Sequence, residues 1–298
     1  VLGAVDLPHE QRRSVGAWRP ASEGALLAVG DRGSGRSTLL ASLAAQSTGS
    51  RLVAGAGAEG PEALWDAVAE RSAGLLLLDD LDLAVGRMPD EYAADVLDRL
   101  ALALRTAGGG IAATARAPLA GALRPLGSAF GDVLVLRTGR EHHAALLGAQ
   151  CAYDGRVPPG GGWWRGDRIQ LASADGGGVR TEPASVVAVE LRTPLLVVSR
   201  TPERRLAQVR RAGGARAAGS DLAVDRVAVV GVDDFTATPS LWSAAARTPL
   251  LLDGCTPAEH RAITRRRELP PLLAPLEGRA WLVRPEEPTV RASVAWAP

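Results

Sequence analysis

The chain has 298 residues, 46% of them hydrophobic but only 4% aromatic, which suits one large or two modest globular domains with a core mainly of Ala, Leu and Val, and excludes a disordered chain. A formal net charge of +1 removes any global electrostatic case for nucleic acid or an anionic membrane. No run approaches the roughly 18 apolar residues of a membrane span, and Cys151 and Cys255 have neither metal nor disulfide-framework spacing.

The start at Val1 leads us to expect a segment of a longer protein, with any membrane anchor in the missing part. Residues 1–23 read as an extended lead-in, with a strand over 1–6 and turns at Pro8 and Pro20. An apolar run, 25–29, then enters Gly30-Asp31-Arg32-Gly33-Ser34-Gly35-Arg36-Ser37-Thr38, and an apolar helical stretch, 39–45, leaves it. This is strand, glycine loop, helix. It fits the phosphate-loop pattern G-x-x-x-x-G-K-[ST] at every fixed position except Arg36, which stands in the lysine's place. Such glycines turn backbone N–H groups inward, and the helix presents its positive end, so polyphosphate suits both. Gly30, Gly33, Ser34, Gly35, Arg36, Ser37 and Thr38 are therefore the candidate nucleotide-binding residues, with the Ser37 hydroxyl offered to Mg²⁺.

Arg36 decides how much chemistry to expect. A planar guanidinium does not replace a flexible ammonium conservatively at a tight site. The chain nevertheless contains no lysine at all. Two readings follow: the site has lost hydrolysis and with it much of its nucleotide affinity, or a chain-wide preference for arginine reached a site that still works. A second departure, downstream, favours the first.

Residues 51–54 form a short strand, and Pro61 opens a helix through 72 with Leu64, Trp65 and Val68 on one face. Gly74-Leu75-Leu76-Leu77-Leu78-Asp79-Asp80 reads as a strand buried on both faces of a parallel sheet, with acids at its carboxyl end, where open α/β sheets bind ligands. Asp79 is the candidate Mg²⁺ ligand. Asp80 occupies the place of the catalytic glutamate, one methylene short, and misplacement on that scale costs roughly 10²-fold in rate. Without the loop upstream, Asp79, Asp80 and Asp82 would read as a solvated turn.

Residues 90–107 form an amphipathic helix through Ala94, Leu97, Leu100, Ala101 and Leu104, stopped by three glycines. A strand over 111–114 ends at Thr114, a candidate γ-phosphate sensor, with Arg116 beyond it; the alternative is a strand-ending Thr and a surface Arg. Then come a short helix over 118–126, a strand over 132–136, a helical turn over 141–148 whose adjacent His142 and His143 point apart, and a turn-rich segment, 157–164, whose tryptophans pack on an apolar surface or, as the alternative, fill a partner's pocket. A strand around 169–171 and a glycine loop at 175–178 lead to a domain boundary near Ala184. The remainder alternates strands (195–198, 226–230, 250–253, 280–283, 290–294) with helices (203–211, 239–247, 257–267), a small α/β unit without a phosphate loop; Arg265-Arg266-Arg267 is a local basic patch.

Gly30 to Thr38, Leu75 to Asp82, Ile111 to Arg116 and the tail from Pro158-Pro159-Gly160 to Gln170-Leu171-Ala172 together resemble an FtsK/SpoIIIE-type RecA-like ATPase domain. The lead-in, Leu2 to Asp6 with Gln11 and Trp18, is similar to that of the later tandem ATPase domains of actinobacterial type VII secretion ATPases. The resemblance covers about residues 1–184. It implies a RecA-like P-loop core with a parallel sheet flanked by helices, and residues 185–298 resemble the extra α/β tail of such proteins. It further implies a membrane-anchored, multi-domain, hexameric motor at the cytoplasmic face of the membrane. That motor uses ATP and Mg²⁺, has other ATPase domains of the same longer chain as partners, and moves DNA or a secreted substrate. Carried over, Gly33, Gly35, Arg36, Ser37 and Thr38 contact phosphates, Ser37 and Asp79 hold Mg²⁺, and Asp80 stands for the catalytic acid; Arg36, Asp80 and Gly161, where an arginine is common, depart from the pattern. The sequence thus supports a degenerate nucleotide-binding domain that regulates secretion or docks a secreted-substrate helix, with an active ATPase module of a DNA translocase as the alternative.

Overall fold

The computed structural model describes residues 1–70, 74–106, 110–119, 121–140, 156–173, 184–191, 194–212, 215–217 and 227–297. The helical turn expected at 141–148, with His142 and His143, and the loop at 175–178 lie outside these residues. The chain divides into two units, Val1–Pro183 and Ala184–Pro298. No helix among the described residues is long and apolar enough to cross a membrane.

In the first unit, nine strands form one sheet: β1 (Gly3–Leu7), β2 (Arg12–Gly16), β3 (Leu26–Gly30), β4 (Arg51–Ala54), β5 (Leu76–Asp79), β6 (Ile111–Arg116), β7 (Asp132–Leu136), β8 (Gly161–Trp164) and β9 (Asp167–Leu171). Their order is β2-β1-β9-β8-β7-β3-β6-β5-β4. The half from β7 to β4 is parallel, and the half from β8 to β2 is antiparallel. A parallel strand covered on both faces must be apolar throughout, and β3 is buried at every residue. Helix α1 (Pro20–Glu23) precedes β3 and helix α2 (Arg36–Ala45) follows it; Leu39, Leu40 and Leu43 of α2 join a core with Leu26, Ala28, Leu77 and Leu134. This is the parallel RecA-like core expected from the loop and acid motifs.

Two expectations change. Helix α3 (Gly60–Ala69) is buried at every position from Gly60 to Val68, not on one face. Helix α4 (Leu81–Val85) is short, and helix α5 (Asp90–Thr106) buries Tyr92, Val96, Leu100 and Ala103, leaving Ala94 exposed. Alanine and leucine occur around much of α5, so its apolar phase was ambiguous. The stripe is settled by Tyr92, whose ring packs edge-on against Trp65 of α3 at 5.1 Å.

The segment read as turn-rich contains β8. Gly162 lies so close to β7 that an added Cβ would stand 2.3 Å from the Val135 carbonyl oxygen, so glycine there serves the strand. The β8–β9 hairpin turns on Arg165 and Gly166, both at positive φ, as a type I′ turn demands. Arg165 is held in that unfavoured conformation by its side chain, which reaches Asp132 at 2.7 Å and Glu23 at 3.1 Å and stacks on Trp164.

The second unit has strands β10 (Val187–Val189), β11 (Leu195–Ser199), β12 (Ala215–Ala217), β13 (Val227–Gly231), β14 (Leu250–Asp253), β15 (Arg279–Val283) and β16 (Val290–Val294), ordered β10-β16-β15-β14-β11-β13-β12. Its helices are α6 (Pro202–Arg211), α7 (Val232–Ala237), α8 (Pro239–Ala245) and α9 (Pro257–Thr264). The parallel part runs β14-β11-β13-β12, and the antiparallel pair β15 and β16 extends from β14. Removing β6 from the first unit leaves β7-β3-β5-β4, which is the same winding order. Removing β4 or β5 instead leaves the same order, so the two parallel cores share a winding sense, while the end of β11 lacks the glycine loop that follows β3.

Candidate functional site

The glycine loop joins β3 to α2. Gly33 and Gly35 take φ of +73° and +103°. A Cβ on Gly35 would meet the Gly160 backbone at 3.0 Å, so this position needs glycine for both conformation and space. The loop is stapled from behind. The Gly160 amide donates to the Ser34 carbonyl at 2.8 Å, the Asp31 amide to the Arg137 carbonyl at 3.0 Å, and Arg137 Nη2 to the Gly33 carbonyl at 3.3 Å. The Gly139 amide donates to Asp31 Oδ2. Arg137, Gly139 and Asp31 had no signal in the sequence, because their contacts cross more than a hundred residues.

Gly33, Ser37 and Thr38 are exposed at the mouth, and the first turn of α2 carries no acidic residue to neutralise its positive end. Ser34 and Arg36 are buried. Gly30 sits beneath, with Ser34 Oγ 2.5 Å from where its Cβ would be.

The acids lie at the end of β5. Thr114, fully buried on β6, donates its hydroxyl to Asp79 Oδ1 at 2.5 Å and accepts the Asp80 amide at 2.9 Å; that amide also lies 3.1 Å from Asp79 Oδ1. Asp80 is in the left-handed conformation at φ +48°, a region aspartate tolerates better than most residues. Its Oδ1 lies 3.0 Å from Arg36 Nη2. The contact is an ion pair without hydrogen-bond alignment: Asp80 Oδ1, Arg36 Nη1 and Ser34 Oγ are all buried with no hydrogen-bond partner among the described residues. Burial pushes the Asp80 carboxyl above the usual carboxylate range; Arg36 opposes this, and Asp79 and Asp82 reinforce it. Asp82 is engaged by Arg116, through the backbone amide at 3.2 Å and Nε at 3.5 Å.

The structure thus brings Arg36, Asp79, Asp80 and Thr114 together beneath the loop. It leaves Ser37 and Thr38 at the surface. The phosphate half fits its ligand: an open cradle of amides at a positive helix end. The acid half is partly engaged by the chain itself: Asp79 Oδ1 accepts the Thr114 hydroxyl and the Asp80 amide, and Asp80 Oδ1 faces Arg36.

In the second unit the corresponding strand end has no cradle. Ser199 Oγ donates to Asp253 Oδ2 at 2.7 Å, and Arg205 grips the same carboxylate through Nε at 2.8 Å and Nη2 at 2.9 Å. Arg205 also donates to Gln208 and stacks on Trp296, 4.3 Å from the ring centroid.

No protein-family model and no curated protein matches the chain. Among solved structures it is similar to ATPases 2 and 3 of EccC from Thermomonospora curvata in complex with a signal sequence peptide, at 14% identity and a TM-score of 0.49 over 100% of this chain and 92% of that one. It is also similar to ATPases 2 and 3 of EssC from Geobacillus thermodenitrificans, at 11% identity and a TM-score of 0.47 over 99% of this chain and 96% of that one.

Proposed function

We propose that the first unit is a degenerate P-loop domain of an FtsK/SpoIIIE-type translocase of protein secretion, which keeps the nucleotide fold as a scaffold and does not hydrolyse ATP. The observation that carries this reading is the Arg36–Asp80 ion pair, at 3.0 Å. A residue that positions an attacking water must have a carboxylate oxygen available for it, and here that oxygen faces a guanidinium. In a longer chain the 298 residues work beside other ATPase domains of that chain, in a hexamer at the cytoplasmic face of the membrane, as a regulatory or docking module. The net charge of +1 gives no support to a DNA-moving surface.

The test is calorimetric titration with Mg·ATP, with phosphate release measured in parallel. The parent chain releases no phosphate. The Arg36→Lys, Asp80→Glu double variant binds at least about tenfold more tightly, a gain of about 1.4 kcal/mol. Turnover by the parent sinks the degenerate reading, and salt-sensitive DNA binding would move the assignment to a DNA motor.

Docking needs an apolar recess. In the second unit a cavity of about 290 Å³ has Trp242, Leu250, Ile263 and Val283 in its lining and Arg265, Arg266 and Arg284 around them. Arg265 lies over the Trp242 ring at 4.7 Å. This chemistry suits an amphipathic helix with acidic residues beside its apolar face. An acidic amphipathic helix peptide binds the parent, and Trp242→Ala weakens it by roughly thirtyfold, the scale of an aromatic hot spot. Unchanged affinity in that variant, read by fluorescence anisotropy, removes the cavity from the reading.

A further inference from the structure

The two halves of the first unit's site disagree. The phosphate cradle is open, yet Asp80, beside the candidate metal ligand Asp79, is paired with the chain's own cation. The first N–H groups of α2, from Arg36, Ser37 and Thr38, have no partner within the helix by its geometry. Arg36 is 9% exposed, and its Nη1 has no hydrogen-bond partner among the described residues. Its Nη2 meets Asp80 in an unaligned contact, so Nη1 is open to an acceptor and Nη2 can be drawn to a better one. A fork beside a helix N-terminus matches two oxygens of one phosphate, which a lysine ammonium meets only as a point charge.

We propose that this loop takes a magnesium-free polyphosphate, with Arg36 exchanging Asp80 for phosphate oxygens and supplying the charge that a metal supplies in a working site. The proposal rests on the degenerate reading above and names the ligand class of that same site. Asp80 is then a latch. It holds Arg36 when the cradle is empty and competes with the incoming phosphate. No bond is made or broken in the exchange.

The experiment titrates the 298-residue chain with inorganic pyrophosphate, once in excess EDTA and once in excess Mg²⁺. Expected is binding in EDTA at least as tight as in Mg²⁺, because no metal bridges ligand and protein and Mg²⁺ in solution withdraws the metal-free ligand. Asp80→Asn removes the competing charge and tightens binding by about tenfold, and Arg36→Ala weakens it by at least about tenfold. The wild-type pair of titrations decides even if a variant misfolds. Binding that disappears in EDTA overturns the proposal, as does no binding in either buffer, or an Asp80→Asn variant that folds and binds no more tightly than the parent. These outcomes are independent of phosphate release from Mg·ATP, so a failed latch and a failed degenerate reading are told apart.

Discussion

Arg205→Met destabilises the second unit by about 3–5 kcal/mol, the cost of leaving a buried carboxylate without its cation. Arg205 and Asp253 are 8% and 3% exposed, and they meet through two hydrogen bonds, with Ser199 adding a third to Asp253 Oδ2. The substitution also removes the stack on Trp296 and the donor to Gln208. Asp253→Leu alone costs a similar amount, by stranding the guanidinium. The double variant recovers most of the loss, because a well-packed apolar pair is as stable as a buried ion pair. A chain of two units does not unfold in one step, so hydrogen exchange at β11 and β14 is the suitable measurement. Protection that survives either single substitution would mean that this cluster does not organise the strand ends.

The second unit also loses about 3 kcal/mol of stability as the pH falls from about 6.5 to about 4. His260 on α9 is 1% exposed, with its ring edge-on to Trp281 at 5.3 Å and Nε2 3.0 Å from Thr289 Oγ1. Its Nδ1 is buried without a hydrogen-bond partner among the described residues. Burial, and after it the charges of Arg266 and Arg261, lower its pKa from 6.5 to about 4. The folded value lies below the unfolded one, so the unfolded chain takes up the proton first on acidification. The stabilisation is complete above pH 6.5 and is lost as the pH drops to about 4. Hydrogen-exchange protection at β14 and β15 across this window, corrected for the intrinsic pH dependence of exchange, checks it, with His260→Gln expected to flatten the dependence. An equally steep loss in that variant assigns the acid sensitivity to carboxylates instead.

The parallel core was legible because its signals are local and redundant. Five buried residues in β3, two positive-φ glycines at Gly33 and Gly35, and acids ending β5 each point to the same winding. The sites's key contact was not legible. Arg36 and Asp80 are 44 positions apart, and their approach depends on β6 standing between β3 and β5. Strand β8 was hidden because Gly161 and Gly162 carry turn chemistry in a local window, while their need for space arises from β7 alongside. The winding sense that the tail shares with the first unit was hidden for a third reason. Winding order is a property of the sheet, and its one local marker, a glycine loop, is absent after Ser199.

Strand pairing separates the two units' strand ends. In the first unit β6 lies between β3 and β5, so the loop and the acids are held two strand spacings apart, about 9.6 Å. In the second unit β11 pairs directly with β13, and Ser199 stands opposite Gly231, one spacing away, about 4.8 Å. No side-chain exchange widens that spacing. Exchanges at Arg36 and Asp80 alter the chemistry within a fixed two-strand gap, whereas at the end of β11 only a change of strand pairing would alter the gap itself.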